Sequence, residues 1–246
     1  MKIVLDPYVR RARLEPALIV ALPLGMATLV AFPAAATTWA LLWSFVTWSG
    51  GTTLLVNIAR DLGKRKEPGL FRLWGGKPST RLLRHRGNAN PTLLARRHAQ
   101  LETLVDGLVL PTALVEAKDT DAADHAYETC VAVLLERTRK REQFPLLFEE
   151  NCSYGFRRNL WGMKSIGIVL SVLSCAIIGF FVARSISAGQ MPQPLTIAAG
   201  LISLFLLLLW CFWIDADWVR VPAEEYAKHL LAACDSLAAP SSGSTK

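Results

Sequence analysis

Charged positions vanish from the chain twice. No Asp, Glu, Lys or Arg occurs from Pro16 through Ala59, and only Arg184 interrupts the run from Ser165 through Ile214. A bilayer core of about 30 Å takes roughly 20 apolar helical residues. Blocks of this length are too long for one crossing and suit two each. The pattern predicts an all-α membrane protein, with four transmembrane helices as two hairpins and a small, mainly helical cytoplasmic domain between them. The spans are expected over about 16–33, 35–59, 165–184 and 195–214. Phe32-Pro33-Ala34 and the Ser/Gly/Pro-rich stretch from Ser185 to Pro194 supply the outer turns. Pro23 falls inside the first span, where neighbouring helices can satisfy the carbonyl it frees.

The polar segments divide the rest into a basic arm (1–15), a cytoplasmic domain (60–164) and a tail (215–246), with the hairpins at 16–59 and 165–214. Leucines at 93, 94, 101, 104 and 108 predict a helix from Thr92 to about Leu110. A second is expected from Thr120, read as its N-cap, with Ala123, Tyr127, Val131, Leu134 and Leu135 on its apolar face. It runs into Arg137, Arg139, Lys140 and Arg141, which suit the negative end of a helix dipole. Gly63, Pro68-Gly69, Gly75-Gly76 and Asn90-Pro91 read as loop signals. A short tail helix over about 222–238 and a disordered Ser/Gly end complete the chain.

Charge sets the orientation. Residues 60–164 hold 19 Lys and Arg and the arm holds four, against Arg184 alone on the outer side. The positive-inside rule then places both termini and the middle domain in the cytoplasm. Trp210, Trp213 and Trp218 cluster where an interfacial aromatic belt belongs. No small-residue cleavage site follows the first block, so a cleaved leader is not expected. The five cysteines form no CxxC pair and read as free thiols of a reducing compartment.

Within the middle domain the charge is lopsided. Residues 60–97 carry eleven cations against Asp61 and Glu67, whereas residues 98–128 carry Lys118 against seven acids. Arg72, Trp74, Lys77, Arg81, Arg84, His85, Arg86, Arg96 and Arg97 form the candidate ligand set, because cations neutralise phosphates while Trp and His offer flat faces to bases. The competing meaning is a polybasic surface drawn to anionic lipid, strongest for residues 60–66. Tyr154, Phe156, Arg157, Arg158 and Asn159 precede the third span. They are either a coupling element or an interfacial anchor, with both arginines on lipid phosphates. In the second span Thr37, Ser44 and Thr47 form a hydroxylated line, and Leu54 and Ile58 flank it. The line serves close helix packing or lines a pore that Leu54 and Ile58 close by dewetting. Gly167, Ser171, Cys175, Gly179 and Ala183 make a small-residue line in the third span.

Enzyme signatures are weak. The four histidines have no metal-ligand spacing, and Gly75-Gly76-Lys77-Pro78-Ser79-Thr80 lacks the GxxxxGK[ST] spacing of a phosphate loop. Asp215 and Asp217 read as solvated helix-end charges. No catalytic residue, metal or cofactor is expected, and the chain is not read as an enzyme.

Three stretches carry a family resemblance. They are Leu73-Trp74-Gly75-Gly76-Lys77-Pro78-Ser79-Thr80 with Leu83-Arg84-His85-Arg86, the segment from Ala123-Asp124 to Thr138-Arg139, and the run from Phe144-Pro145 to Arg158-Asn159. Over roughly residues 70–165 the chain resembles the membrane effectors of the Hailong antiphage defence system, found beside nucleotidyltransferases. The resemblance implies a homo-oligomeric ion channel, a tetramer being the favoured ring, whose partners are membrane lipid and single-stranded DNA oligomers. A partner nucleotidyltransferase makes those oligomers, and their loss opens the channel and depolarises the membrane. The competing class is a non-conducting membrane anchor that recruits a cytoplasmic partner.

Overall fold

A computed structural model describes residues 6–33 and 50–238. Thr37, Ser44, Thr47 and most of the expected second span lie outside the described residues, as does the Ser/Gly end. Among the described residues the chain is helical without strands, and three helices are long and apolar enough to cross a membrane. Two compact units are formed, Met1–Pro68 with Cys152–Val219, and Gly69–Asn151 with Arg220–Lys246.

The first unit holds the three apolar helices: α1 (Pro7–Ala31), α8 (Lys164–Ser187) and α9 (Pro194–Trp213). It also holds most of α2 (Gly51–Leu73) and the second half of α7 (Pro145–Gly162). Asp6 caps α1 through the amides of Tyr8 and Val9. Arg10–Leu14 form a wider π turn immediately before Pro16. Proline has no N–H to give the carbonyl four residues back, so the normal ladder is broken at Ala12. Ala17, Val20, Ala59, Leu160, Met163, Leu206, Trp210 and Ile214 bury one another at the heart of this unit. Ala59 therefore brings the described end of the second expected span, 35–59, into the same cluster as α1 and α9.

Two sequence expectations need revision here. Gly63 and Pro68-Gly69 do not end a helix but lie within α2, which continues to Leu73. Gly63 is needed for contact, since a Cβ there would collide with Asn159. The small-residue line of α8 also turns out differently. Its buried positions are Gly167, Ser171, Ser174 and Ile178, whereas Cys175 is half-buried and a Cβ on Gly179 would meet nothing within 4 Å. A helix advances 3.6 residues per turn, so a line spaced strictly by four drifts around the axis. Gly167, on the line, receives the Trp210 indole, whereas Ser174, off it, donates through Oγ to the Pro23 carbonyl at 2.7 Å and meets Ser203 Oγ at 2.9 Å.

The second unit consists of α3 (Pro78–Arg81), α4 (Pro91–Leu104), α5 (Ala113–Lys118), α6 (Thr120–Arg137) and the greater part of α10 (Ala216–Ala238). Leu83, Leu101, Leu104, Tyr127, Cys130, Leu134, Leu230, Leu231 and Cys234 form its core. Asn90 caps α4 through the Leu93 amide. Asp119, not Thr120, caps α6 through the Ala122 amide, because the carboxylate one residue earlier reaches the orphan N–H of the first turn. The helix expected to reach Leu110 stops at Leu104. Val105 turns extended, Gly107 takes a φ of +75°, and Glu102 recaptures the chain by accepting from Leu110 N at 2.7 Å. The tail helix begins at Ala216, six residues earlier than expected. Asp215 accepts from Trp218 N at 2.7 Å and so starts the helix.

Candidate functional site

Two constellations organise the candidate residues, one in each unit. In the first unit, the segment read as a coupling element is a clamp on broken backbone. Asn159 is fully buried, and its Nδ2 donates to the Ala12 carbonyl at 2.6 Å, the one that Pro16 leaves free. Arg157 Nη1 donates to the Trp218 carbonyl at 2.9 Å, which Pro222 leaves free in α10, and the guanidinium stacks on the Trp218 ring. Lys164 Nζ takes the Ile214 carbonyl at 2.7 Å, where α9 has ended. Each cation or amide thus pairs with an acceptor whose own helix cannot satisfy it.

Arg158 closes the clamp from within. Its Nη1 lies 3.0 Å from Glu67 Oε1, which also accepts from Tyr154 OH at 2.6 Å, and its Nε and Nη2 reach Asn159 Oδ1 at 3.2 and 3.1 Å. Burial opposes charge on Arg158, but Glu67 more than restores it, and its pKa is raised. Burial and the neighbouring Glu67 carboxylate both push the Tyr154 phenol upward, so it stays a donor. With a side chain 7% exposed, Arg158 is not the lipid-phosphate contact that the interfacial reading gave it. Phe156 packs on the apolar cluster. Gly155 and Gly162 allow the close approach: a Cβ on Gly155 would stand 2.8 Å from Ala12 Cβ, and one on Gly162 2.6 Å from Gly63 N.

In the second unit, a cleft of about 590 Å³ opens between the loop after α3, the start of α4 and α10. Arg81, Arg84, Arg86 and Arg97 line it, joined by Arg220 and Lys228, with Glu224 as the one carboxylate of the lining. Asn88, Asn90, Pro78, Leu82, Leu93 and Leu94 provide amide and apolar wall. The cations differ in how much of their bonding capacity is already used. Arg84 is committed: Nε bonds Asp124 Oδ1 at 2.7 Å, Nη2 pairs with Asp124 Oδ2, and Nη1 donates to the Gly75 carbonyl at 2.6 Å. Gly75 and Gly76 take positive φ and end α2, and a side chain on Gly76 would strike this guanidinium. Arg86 is looser, 3.3 Å from both Asp124 oxygens and 40% exposed. Arg97 has no carboxylate within ion-pair distance among the described residues. Burial lowers its pKa, while Cys234 and Asp235 pull the other way.

Behind the cleft, Glu116 fixes the arginine loop. This buried carboxylate accepts from His85 N at 2.7 Å, Arg86 N at 3.1 Å and Tyr127 OH at 2.7 Å. Burial alone would raise its pKa, but these donors outweigh it and hold Glu116 below the usual carboxylate range. Burial and the Glu116 bond push the Tyr127 phenol well above its ordinary value. His98 Nε2 lies 2.8 Å from the Leu83 carbonyl, and burial lowers its pKa below 6.5.

Of the nine residues expected to bind ligand, four therefore converge on the cleft and five do not. Trp74 is buried with its ring edge-on to Phe71 at 6.0 Å, so it offers no face to a base. His85 uses its ring on the Pro111 carbonyl at 3.0 Å and on His98. Lys77 pairs with Glu128 at 2.9 Å and Arg96 with Asp235 at 2.7 Å, while Arg72 is exposed away from the lining. The contributors that sequence reading missed are Arg220, Glu224 and Lys228. Their spacing of four puts them on one face of α10, and that was the available signal. Leu54 and Ile58 are exposed on the first unit, opposite buried Val56 and Ala59. Among the described residues, no group of three His, Cys, Asp or Glu side chains is placed to hold a metal ion. Comparisons with protein-family models, with curated proteins and with solved structures find no match.

Proposed function

We propose that this chain is an oligomeric, ligand-gated ion-channel effector of bacterial antiphage defence, with the cationic cleft as its receptor for single-stranded DNA oligomers from a partner nucleotidyltransferase. The observation that carries the reading is the convergence of six cations on one cleft with a single carboxylate in its lining, in a chain that also carries three membrane-length apolar helices. Phosphodiester oxygens are the complementary ligand, and the apolar wall accepts bases or sugar edges.

In this reading the chain lies in the inner membrane with four spans as two hairpins and both termini in the cytoplasm. Ala59 in the common apolar cluster supports the second span, and the outward-facing Leu54 and Ile58 suit a gate at the axis of a ring, which we take as tetrameric. The clamp of Arg157, Arg158 and Asn159 suits a coupling role because it joins α7 to α1 and α2 through bonds that no helix can make alone. Bilayer recording of the purified full-length protein tests the proposal. Conductance should change on addition of single-stranded DNA, and Arg86→Ala, Arg97→Ala and Lys228→Ala together should abolish the response. Each of these cations that meets a phosphate should, when replaced, flatten the log–log salt slope of binding by about 0.7. DNA binding without conductance would favour the membrane anchor instead.

A further inference from the structure

Glu224 occupies the cleft in the manner of a bound anion. Its Oε1 accepts from Arg220 Nε at 2.7 Å and lies 3.4 Å from Arg81 Nη1, so two guanidinium groups share one carboxylate oxygen. A phosphate oxygen presents the same planar fork with an equivalent acceptor. All three side chains are about a third exposed and open to the cleft, where water screens the pairing and a competing anion can reach it.

We propose that Arg81 and Arg220 form a phosphate subsite and that Glu224 is its built-in occupant, which a phosphodiester ligand must displace. The inference rests on the cleft reading above and adds which subsite the ligand takes and what it competes with. Burial would raise the pKa of Glu224, but the bonds from Arg220 and Arg81 outweigh this and hold it low, so the occupant is charged at neutral pH. Displacement requires only a side-chain rotation, because Glu224 sits four residues from Arg220 on the same helix. Lys228, four residues further along α10 and paired with Glu225 at 2.6 Å, lines the same cleft. Such an occupant sets a threshold: a lone weak anion exchanges for Glu224 at no gain, whereas a chain of phosphates that also reaches Arg86 and Arg97 wins.

The test is Glu224→Gln in the full-length protein in detergent, titrated with a labelled single-stranded DNA oligomer and, separately, with inorganic tripolyphosphate. The amide keeps the shape and removes the charge. Affinity for both probes should rise about tenfold at low salt, and the gain should vanish in the Glu224→Gln, Arg220→Gln double variant. If Arg86→Ala weakens DNA binding but Glu224→Gln leaves it unchanged or weaker, the cleft reading stands and the occupant idea is overturned. A gain for DNA without one for tripolyphosphate would overturn the assignment of phosphate to this subsite. If neither probe binds any variant, the cleft reading fails, and the inference with it.

Discussion

The two units handle charge in opposite ways. In the first, the Arg158–Glu67 pair is sealed among helices, with Tyr154 and Asn159 completing its hydrogen bonds. In the second, Arg86, Arg96, Arg220 and Lys77 pair with carboxylates at the surface, each at least a third exposed. A sealed pair has no other partner available and becomes structure. A surface pair contributes little to stability and its members stay exchangeable. The first unit uses charge to fix helices to one another, whereas the second fixes Arg84 on Asp124 and leaves cations such as Arg86 and Arg220 exchangeable, as the proposed anion site requires.

The sharpest way to break this contrast is to remove one partner of the sealed pair. Arg158→Ala leaves the Glu67 charge with only the Tyr154 hydroxyl, and Asn159 Oδ1 without its donors, and should cost about 3–5 kcal/mol, read as a large fall in the melting temperature of the detergent-solubilised protein. The Arg158→Ala, Glu67→Ala double variant should recover part of the loss. A single variant melting within a degree or two of wild type would show that the pair is not sealed.

Gly162→Ala comes next. The new methyl meets the backbone of Gly63, which cannot step aside as a flexible side chain can. An overpacking cost of about 1–3 kcal/mol is expected, and the matching change at Gly179, where a Cβ meets nothing within 4 Å, should be close to silent. Equal melting of the two variants would mean that the helices do not need glycine at position 162 to approach.

Acid should act on the second unit in two steps. His98 has a lowered pKa in the folded chain, so the unfolded chain binds its proton first, and stability falls as pH drops through about 6.5. Glu116, Glu224 and Asp235 have lowered pKa values, and the stability they contribute is lost only near and below the ordinary carboxylate range. Melting temperature followed against pH should show both steps, and His98→Gln should erase the upper one alone. Persistence of the upper step in that variant would assign it to another group.

The smallest effect is expected at the surface. Arg96→Ala breaks an exposed pair with Asp235 and should shift stability by less than about 1 kcal/mol. It should also leave DNA affinity nearly unchanged, since Arg96 is not part of the cleft lining. A strong loss of binding would redraw the site.

Much of this molecule is determined by sequence alone. The uncharged runs from Pro16 and from Ser165 require apolar helices, because a bilayer core or a buried core must exclude charge over that length. The prolines at 16 and 222 require orphan carbonyls at Ala12 and Trp218, and asparagine and arginine at 159 and 157 are donors of the right kind. The residues of the clamp were legible as a mixed polar stretch, and the basic segment as a concentration of cations.

Only the tertiary structure decided which of those cations are engaged and which are available. Arg84 and Arg86 differ by two positions, yet one is fully engaged on Asp124 and Gly75 while the other stands half-open. Trp74 reads as a stacking surface in sequence and is buried in the fold. Arg81 and Glu224 are 143 positions apart and meet in the same cleft. Charge is a property of a residue, but its availability depends on which carboxylate the packing of distant helices brings within a few ångströms, and Coulomb interaction falls too steeply with distance and solvent for the sequence to announce it.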